Sequence, residues 1–515
     1  MAETGARKWI IVITAIMASL IELIDTSIVN VALPQMMGNL SATLDEVAWV
    51  VTAYVVANVI VVPMTGFLSR FFGRRNYFAG SIVLFTVASF FCGHATNIWE
   101  LVTFRFIQGI GGGALFSTSQ AILVETFPPE ELGLANGLFG LGVVMGPTIG
   151  PTLGGWITDN YSWPWIFYVN IPIGIVATML ALSFIRGDRE VHPDASIDWA
   201  GIGLLILGIG SLQIVLERGE RDDWFSATYI VMLTILAAIG IGAFIWRELT
   251  AEHPVVELRV LKDRSLAVGT LFTFILGFGL YSSIFIFPVF AQNLLGFTAM
   301  QTGLILLPGG IATAFMMPIV GKLLQRRVPA QLMNALGFIS FFVFTYLLSQ
   351  STLLSGRVNF FWPLIFRGLG LGLLFVPLTT LALSNLRGKD IAQGAGLTNM
   401  MRQLGGSFGV ALMATFVEKR SWSHRQSLLE HVSMYDPTVR ERINAIVQAL
   451  LAKGSTLIDA ERQAYAALEG IVTKQTFLLT YMDAFRVVGF FFLCCIPLLL
   501  LFKRTRGAPP PVSVH

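Results

Sequence analysis

The sequence predicts an all-α polytopic membrane protein: two six-helix halves with two extra helices between them, fourteen transmembrane helices in all. Three observations lead there. The 515 residues are 55% hydrophobic and only 13% charged, whereas ordinary soluble domains carry about 25% charged residues. Apolar runs of about 20 residues, enough to cross the hydrocarbon core as helices, recur along the whole chain. A weak internal repeat divides it. Pro63-x-x-Gly66-x-Leu68 followed by Arg70 and Arg74-Arg75 returns 255 residues later as Pro318-x-x-Gly321-x-Leu323 followed by Arg326-Arg327. Arg105 before Gly109 and Gly111 to Gly113 returns 262 residues later as Arg367 before Gly368, Gly370 and Gly372. Parallel half-repeats of this kind are a transporter trait.

By length and hydropathy the spans fall at about 9–33, 47–68, 77–96, 99–123, 134–157, 165–185, 198–216, 227–247, 267–292, 299–323, 331–349, 359–384, 392–416 and 479–502. The chain then divides into a first bundle at 1–190, the extra pair with its linker at 191–262, a second bundle at 263–507, and a disordered tail at 508–515. Arg7 and Lys8 precede the first apolar run, but no small-residue cleavage site ends it, so it reads as a retained span. An even number of spans puts both termini on one side. Their loops hold most of the loop lysines and arginines, including Arg74, Arg75, Arg259, Lys262, Arg326, Arg327, Lys503 and Arg504. The opposite short loops hold Arg218, Arg221 and Arg357. The positive-inside rule makes both termini cytoplasmic. The mixed-charge turn Glu217 to Asp223 reads as solvated.

The segment 418–478 is a long outer loop with two candidate amphipathic helices. In Pro437–Lys453, Ile443, Ile446, Val447, Leu450 and Leu451 share a face; in Asp459–Lys474, Ala460, Leu468, Ile471 and Val472 do. It reads either as a cap or surface-lying pair of helices, or as a docking site for a periplasmic partner.

Several function classes are excluded or unsupported. A net charge of +3 is too small to suggest nucleic acid. Cys92, Cys494 and Cys495 sit in apolar runs as packing residues. The six histidines form no metal spacing, and no G-x-x-x-x-G-K-[ST] loop is present for ATP. No cofactor is expected; a proton gradient would supply the energy.

Ionisable groups inside spans are informative, because each costs at least about 2.5–3.5 kcal/mol at the helix centre unless paired or hydrated. Glu22 and Asp25 lie three apart and share a face of the first span. Arg105 lies in the fourth, and Arg367 and Arg402 lie in later spans. Burial and a nearby arginine push a carboxylate in opposite directions, and a group poised between them can take up a proton on one side and release it on the other. Asp25 is therefore the expected main proton-coupling residue, with Glu22 assisting and Arg105 as counter-charge. Asn30, Tyr54, Asn58, Gln108, Gln120, Tyr281 and Gln292 are candidate cavity-lining residues. Arg402, in Asn399-Met-Met-Arg402-Gln403-Leu-Gly405-Gly406, reads as part of a packing motif near one membrane face.

Gly142, Gly146, Gly150 and Gly154 recur every fourth residue, so they line one face of the fifth span, with Pro147 and Pro151 between them. Small residues let another helix approach closely, and neighbouring helices can re-satisfy the backbone that proline interrupts. The expectation is a bent, tightly packed helix beside the charged helices that limits leakage while the halves move. Gly66, Gly73 and Arg74 join it as gating and packing residues.

Four motifs in order resemble the major facilitator superfamily, and within it the fourteen-span drug:proton antiporters. Leu23 to Pro34 (Leu-Ile-Asp-Thr-Ser-Ile-Val-Asn-Val-Ala-Leu-Pro) is similar to the first-span motif with its membrane carboxylate. Gly66-Phe-Leu68-Ser-Arg70-Phe-Phe-Gly73-Arg74-Arg75 resembles the loop after span two, with Arg70 where the family usually has an aspartate of a state-stabilising charge network. Leu101-x-x-x-Arg105-x-x-Gln108-Gly109 resembles the span-four motif, and the glycine-proline stretch resembles the antiporter motif of span five. The long penultimate loop is similar to that of the Emr-type multidrug efflux pumps. The resemblance implies proton-coupled export of amphipathic compounds across the bacterial inner membrane. It also implies docking of a periplasmic adaptor on 418–478, and through it an outer-membrane channel. Export of one specific metabolite (an amino acid, siderophore or fatty acid) and a non-transporting receptor or scaffold remain the alternatives.

Overall fold

The computed structural model describes residues 5–128, 131–187, 197–386, 389–433 and 435–501. The expected tail at 508–515, Lys503, Arg504 and part of the 191–262 linker lie outside the described residues. The helices are α1 Gly5–Asn39, α2 Leu44–Phe72, α3 Arg74–His94, α4 Ile98–Thr126, α5 Leu132–Asn160, α6 Trp165–Tyr168 and α7 Asn170–Phe184 in the first half. Next come α8 Trp199–Leu205, α9 Ser211–Arg218 and α10 Thr228–Thr250, with a π turn at Ile206–Gly210 joining α8 to α9. The second half holds α11 Arg264–Val289, α12 Ala299–Gln325, α13 Ala330–Leu348, α14 Phe361–Leu383, α15 Lys389–Glu430, α16 Pro437–Leu451 and α17 Leu457–Cys495.

Among the described residues, eleven helical segments are long and apolar enough to cross a membrane. Between them pack α4, α5 and α15, which are rich in glycine and polar residues. Helix starts follow local chemistry. Thr43 and Glu46 form a capping box at α2, Thr298 and Gln301 do so at α12, and Asn97 caps α4. Gly73, at φ 77°, makes the sharp turn between α2 and α3, a backbone conformation that an L side chain resists.

The first half packs α1 against α4, α5 and α7, and α4 against α2 and α3. The second half packs α11 against α14 and α15, and α14 against α12 and α13. Helices α8 to α10 lie outside, against α2 and α15. The halves meet along two seams, α2 on α15 and α5 on α12. On the N-terminal side these seams close tightly. A Cβ on Gly66 would sit 2.6 Å from Gln393 Cδ, one on Gly137 would sit 2.9 Å from the Met317 carbonyl, and Asn136 donates to Thr380 at 3.1 Å.

The segment 418–478 holds both expected helices, the first as α16 and the second within α17, but it does not stand apart from the neighbouring spans as a loop. Its first part continues α15 to Glu430, and its last part is the N-terminal half of α17. At 42 and 39 residues these two helices are about 60 Å long, well beyond a bilayer of about 40–45 Å. Polar composition ends the hydropathy signal there, but helical packing continues. α16 zips onto α17 through Ile443, Val447, Ala460 and Ala464. Asp483 binds Arg420 at 2.7 Å and His424 at 2.9 Å, tying α17 to α15. Val447→Asp is expected to open this hairpin and raise the rate of limited proteolysis between α15 and α17 about tenfold, since an unpaired charge would replace a buried methyl pair. Unchanged cleavage would show that α16 is held by something else.

Candidate functional site

The polar centre of the first half is a closed network built on helices α1, α3, α4 and α7. Asp25 is 0% and Arg105 is 1% exposed. Arg105 Nη1 donates to Asp25 Oδ2 at 2.5 Å and to Gln108 Oε1 at 2.7 Å, and its Nε donates to the Val50 carbonyl at 3.2 Å. Gln108 Nε2 donates to Asp25 Oδ1 at 2.9 Å and to Ser89 Oγ at 2.8 Å, and Asn170 Nδ2 donates to Asp25 Oδ1 at 2.9 Å. The Tyr54 ring lies 4.1 Å from the guanidinium, within cation–π range. Both charges are thus taken out of water only because each is paired and hydrogen-bonded. Gln108 belongs to this network and not to the cavity wall, because helix α4 turns it toward α1 and α3. Asn170 and Ser89 are members that sequence reasoning missed; Asn170, a lone amide in an apolar run, was the available signal.

One turn away, Glu22 faces elsewhere. It lines a cavity of about 460 Å³ between the halves, with Tyr54, Asn58, Glu217, Tyr281 and Arg402 on its walls. Asn58 Nδ2 donates to Glu22 Oε1 at 3.2 Å, and Gln403 Nε2 donates to Asn58 Oδ1 at 2.5 Å, bridging the halves. Arg402 is not near a membrane face. It is buried at the cavity, stacks on Phe116 at 4.3 Å and donates to the Tyr281 hydroxyl at 3.2 Å. The glycines after it are the packing element: a Cβ on Gly405 would sit 2.1 Å from the Phe274 carbonyl. Glu217, expected to be solvated, is turned inward on α9 and accepts from Gln213 at 2.9 Å. Its neighbour Arg218 is buried on Asp222 and the Asp45 carbonyl.

A second cavity of about 520 Å³ adjoins the first, sharing Asn30, Ile284, Pro288 and Val289. Gln292 and Arg367 line it. Gln120 does not reach either cavity; it accepts from Asn399 at 2.9 Å across the α4–α15 contact.

The glycine stripe of α5 faces α1 at the level of the network. A Cβ on Gly146 would sit 2.4 Å from Leu23 Cβ, on Gly150 1.9 Å from Ser27 Oγ, and on Gly154 2.7 Å from Ile28 Cγ1; Gly142 has ordinary room at 3.7 Å. The Pro147 side chain lies outside the described residues, and Pro151 borders the second cavity. Arg74, beside the Gly73 turn, pairs with Glu125 at the end of α4.

Comparison with known proteins agrees with this architecture. Residues 15–410 match the Major Facilitator Superfamily. The chain is 34% identical to the fatty acid resistance protein FarB of Neisseria gonorrhoeae over 489 residues, covering 95% of this chain and 94% of that one. It is 33% identical to the multidrug export protein EmrB of Escherichia coli over 507 residues, covering 98% and 97%. The crystal structure of the human organic anion transporter TETRAN shares the fold, with a TM-score of 0.60 at 13% identity over 96% of this chain and 100% of that one. By its match to the family over residues 15–410 and its full-length relatives, this chain is a member of the Major Facilitator Superfamily.

Proposed function

We propose that the protein is a proton-coupled antiporter exporting amphipathic, largely apolar compounds by alternating access. In this reading it crosses the bacterial inner membrane fourteen times, with α4, α5 and α15 added to the eleven apolar segments and both termini in the cytoplasm. The observation that carries it is the Asp25–Arg105 pair, sealed inside one half on the same helix that presents Glu22 to the inter-half cavity. The relatives' names, multidrug export and fatty acid resistance, support the same class of cargo.

A proton on Asp25 removes the negative charge that holds Arg105. The ion pair becomes a hydrogen bond from a cation to a neutral acid, weaker by the lost attraction between opposite charges, and α1 is released relative to α4 and α7. Glu22 lies three residues away on α1, so movement of that helix reshapes the cavity wall. Substrate in the cavity and a proton on Asp25 then favour opposite facing states, which is coupling through differential affinity. In this reading the seams closed on the side of the N-terminus correspond to the state facing away from the cytoplasm. Helices α15 to α17 beyond the bilayer offer a rigid periplasmic surface for an adaptor, and through it an outer-membrane channel.

The test is flux in liposomes containing this chain alone. An imposed pH gradient is expected to drive uptake of a fluorescent amphipathic dye, and dye added without a gradient is expected to move protons the opposite way. Dye flux that ignores the gradient and moves no protons would rule out antiport.

A further inference from the structure

The two halves treat equivalent arginines differently. Arg105 of α4 and Arg367 of α14 are 262 residues apart, and the first-helix residues they bind, Asp25 and Ser283, are 258 apart. They are repeat counterparts. In the first half the guanidinium meets a carboxylate. In the second, Arg367 Nε donates to the Ser283 hydroxyl at 3.1 Å, and among the described residues no carboxylate is within ion-pair distance. Its Nη groups likewise have no protein acceptor among the described residues. Yet Arg367 is only 7% exposed. A buried cation with one neutral partner is costly unless something outside the protein compensates it.

The surroundings show what kind of compensation fits. Arg367 lines the second cavity, whose polar side carries Asn30, Gln292 and Thr302 and whose apolar side carries Leu280, Ile284 and Leu306. None of these bears a charge, so among the described residues Arg367 is the charged group of that wall. The other cavity arginine differs. Arg402 shares its cavity with Glu22, whose carboxylate feels its charge, and it is stacked on Phe116.

We propose that Arg367 receives the carboxylate of an amphipathic organic acid, whose hydrocarbon tail lies along Leu280, Ile284 and Leu306. This names a substrate class for the exporter and rests on the transport reading above. A guanidinium suits a carboxylate through a bidentate geometry that a lysine cannot reproduce. Asn30 and Gln292 stand by as neutral donors that tolerate variation in the headgroup. The serine is the deciding substitution: an aspartate there would rebuild the pair of the first half and close the site to anions.

The test compares three probes with one tail and different heads: dodecanoate, dodecanol and dodecyltrimethylammonium. Binding to the full chain in lipid nanodiscs is expected to favour dodecanoate over dodecanol about tenfold or more. Arg367→Gln should bring that ratio close to one, and Arg367→Lys should retain part of it. Ser283→Asp should also collapse the ratio with the arginine still in place. Its retained dodecanol binding would show that the fold survives. Equal affinities in the wild type, or an unchanged ratio in Arg367→Gln, would overturn the proposal. Gradient-driven flux of all three probes without headgroup preference would overturn it and leave the antiport reading standing. Headgroup preference in binding without gradient-driven flux would do the reverse.

Discussion

Asp25→Asn is expected to reduce pH-gradient-driven export to the leak level while the chain still inserts into the membrane. Asparagine can occupy the same space and keep one acceptor for the amides of Gln108 and Asn170, both now 2.9 Å from Asp25 Oδ1. It cannot take up a proton, so the proton no longer distinguishes the two facing states, and a ligand without differential affinity shifts nothing. The substitution also leaves Arg105 buried beside a neutral group, a cost of about 3–5 kcal/mol. Some loss of thermal stability should therefore accompany the loss of coupling. Two measurements separate these effects. Substrate counterflow without a pH gradient should persist in Asp25→Asn, because exchange needs only the rocking motion. Asp25→Glu should recover part of the driven flux, because a carboxylate is restored. Driven uptake by Asp25→Asn equal to wild type would mean that the proton binds elsewhere, with Glu22 and Glu217 on the cavity wall as the acids to examine next.

Those two glutamates show what sequence could and could not tell. Asp25 and Arg105 were legible because a charge in the middle of an apolar run demands a partner, and the two runs holding them are adjacent in a six-helix half. Glu22 was legible as an intramembrane acid, but not its direction: two residues three apart on a helix differ by about 60° in facing. That angle separates a sealed network from a cavity wall. Glu217 was misread because it opens a run of charges at a span end. Only the packing of α9 against α2 and α15 turns it inward. Arg402 was misread for the opposite reason. Its flanking glycines do pack, against Phe274 and Tyr281, and their signal masked an arginine that reaches the cavity. The extensions of α15 and α17 were invisible to hydropathy, which marks where lipid ends and not where a helix ends. Their stability comes from the α16 contact and the Asp483 ion pairs, contacts distant in sequence.

Gly146→Leu is the second large effect. It should slow export of every substrate in proportion, without changing which compounds are carried. Gly146 is buried in α5 against Leu23 of α1, and a Cβ there would lie 2.4 Å from Leu23 Cβ and 3.1 Å from the Leu23 backbone carbon. The obstacle includes backbone, so no rotamer change relieves it; α5 and α1 must part. Ser27 Oγ, 3.3 Å from the Gly146 carbonyl, would lose that contact too. Overpacking of this kind costs about 1–3 kcal/mol even for modest additions. Here it falls two residues from Asp25, on a helix that α5 also couples to α12 across the seam between halves. Gly142→Leu is the control, since a Cβ at 142 finds its nearest atom at 3.7 Å and should be tolerated far better. Gly146→Ala should fall between them. The measurement is the ratio of initial export rates for several unrelated compounds, each variant normalised to protein in the membrane. A uniform fall identifies the α1–α5 contact as part of the transport motion and not of substrate selection. A fall confined to some compounds would instead place Gly146 in the binding site, where Pro151 already borders the cavity that holds Arg367.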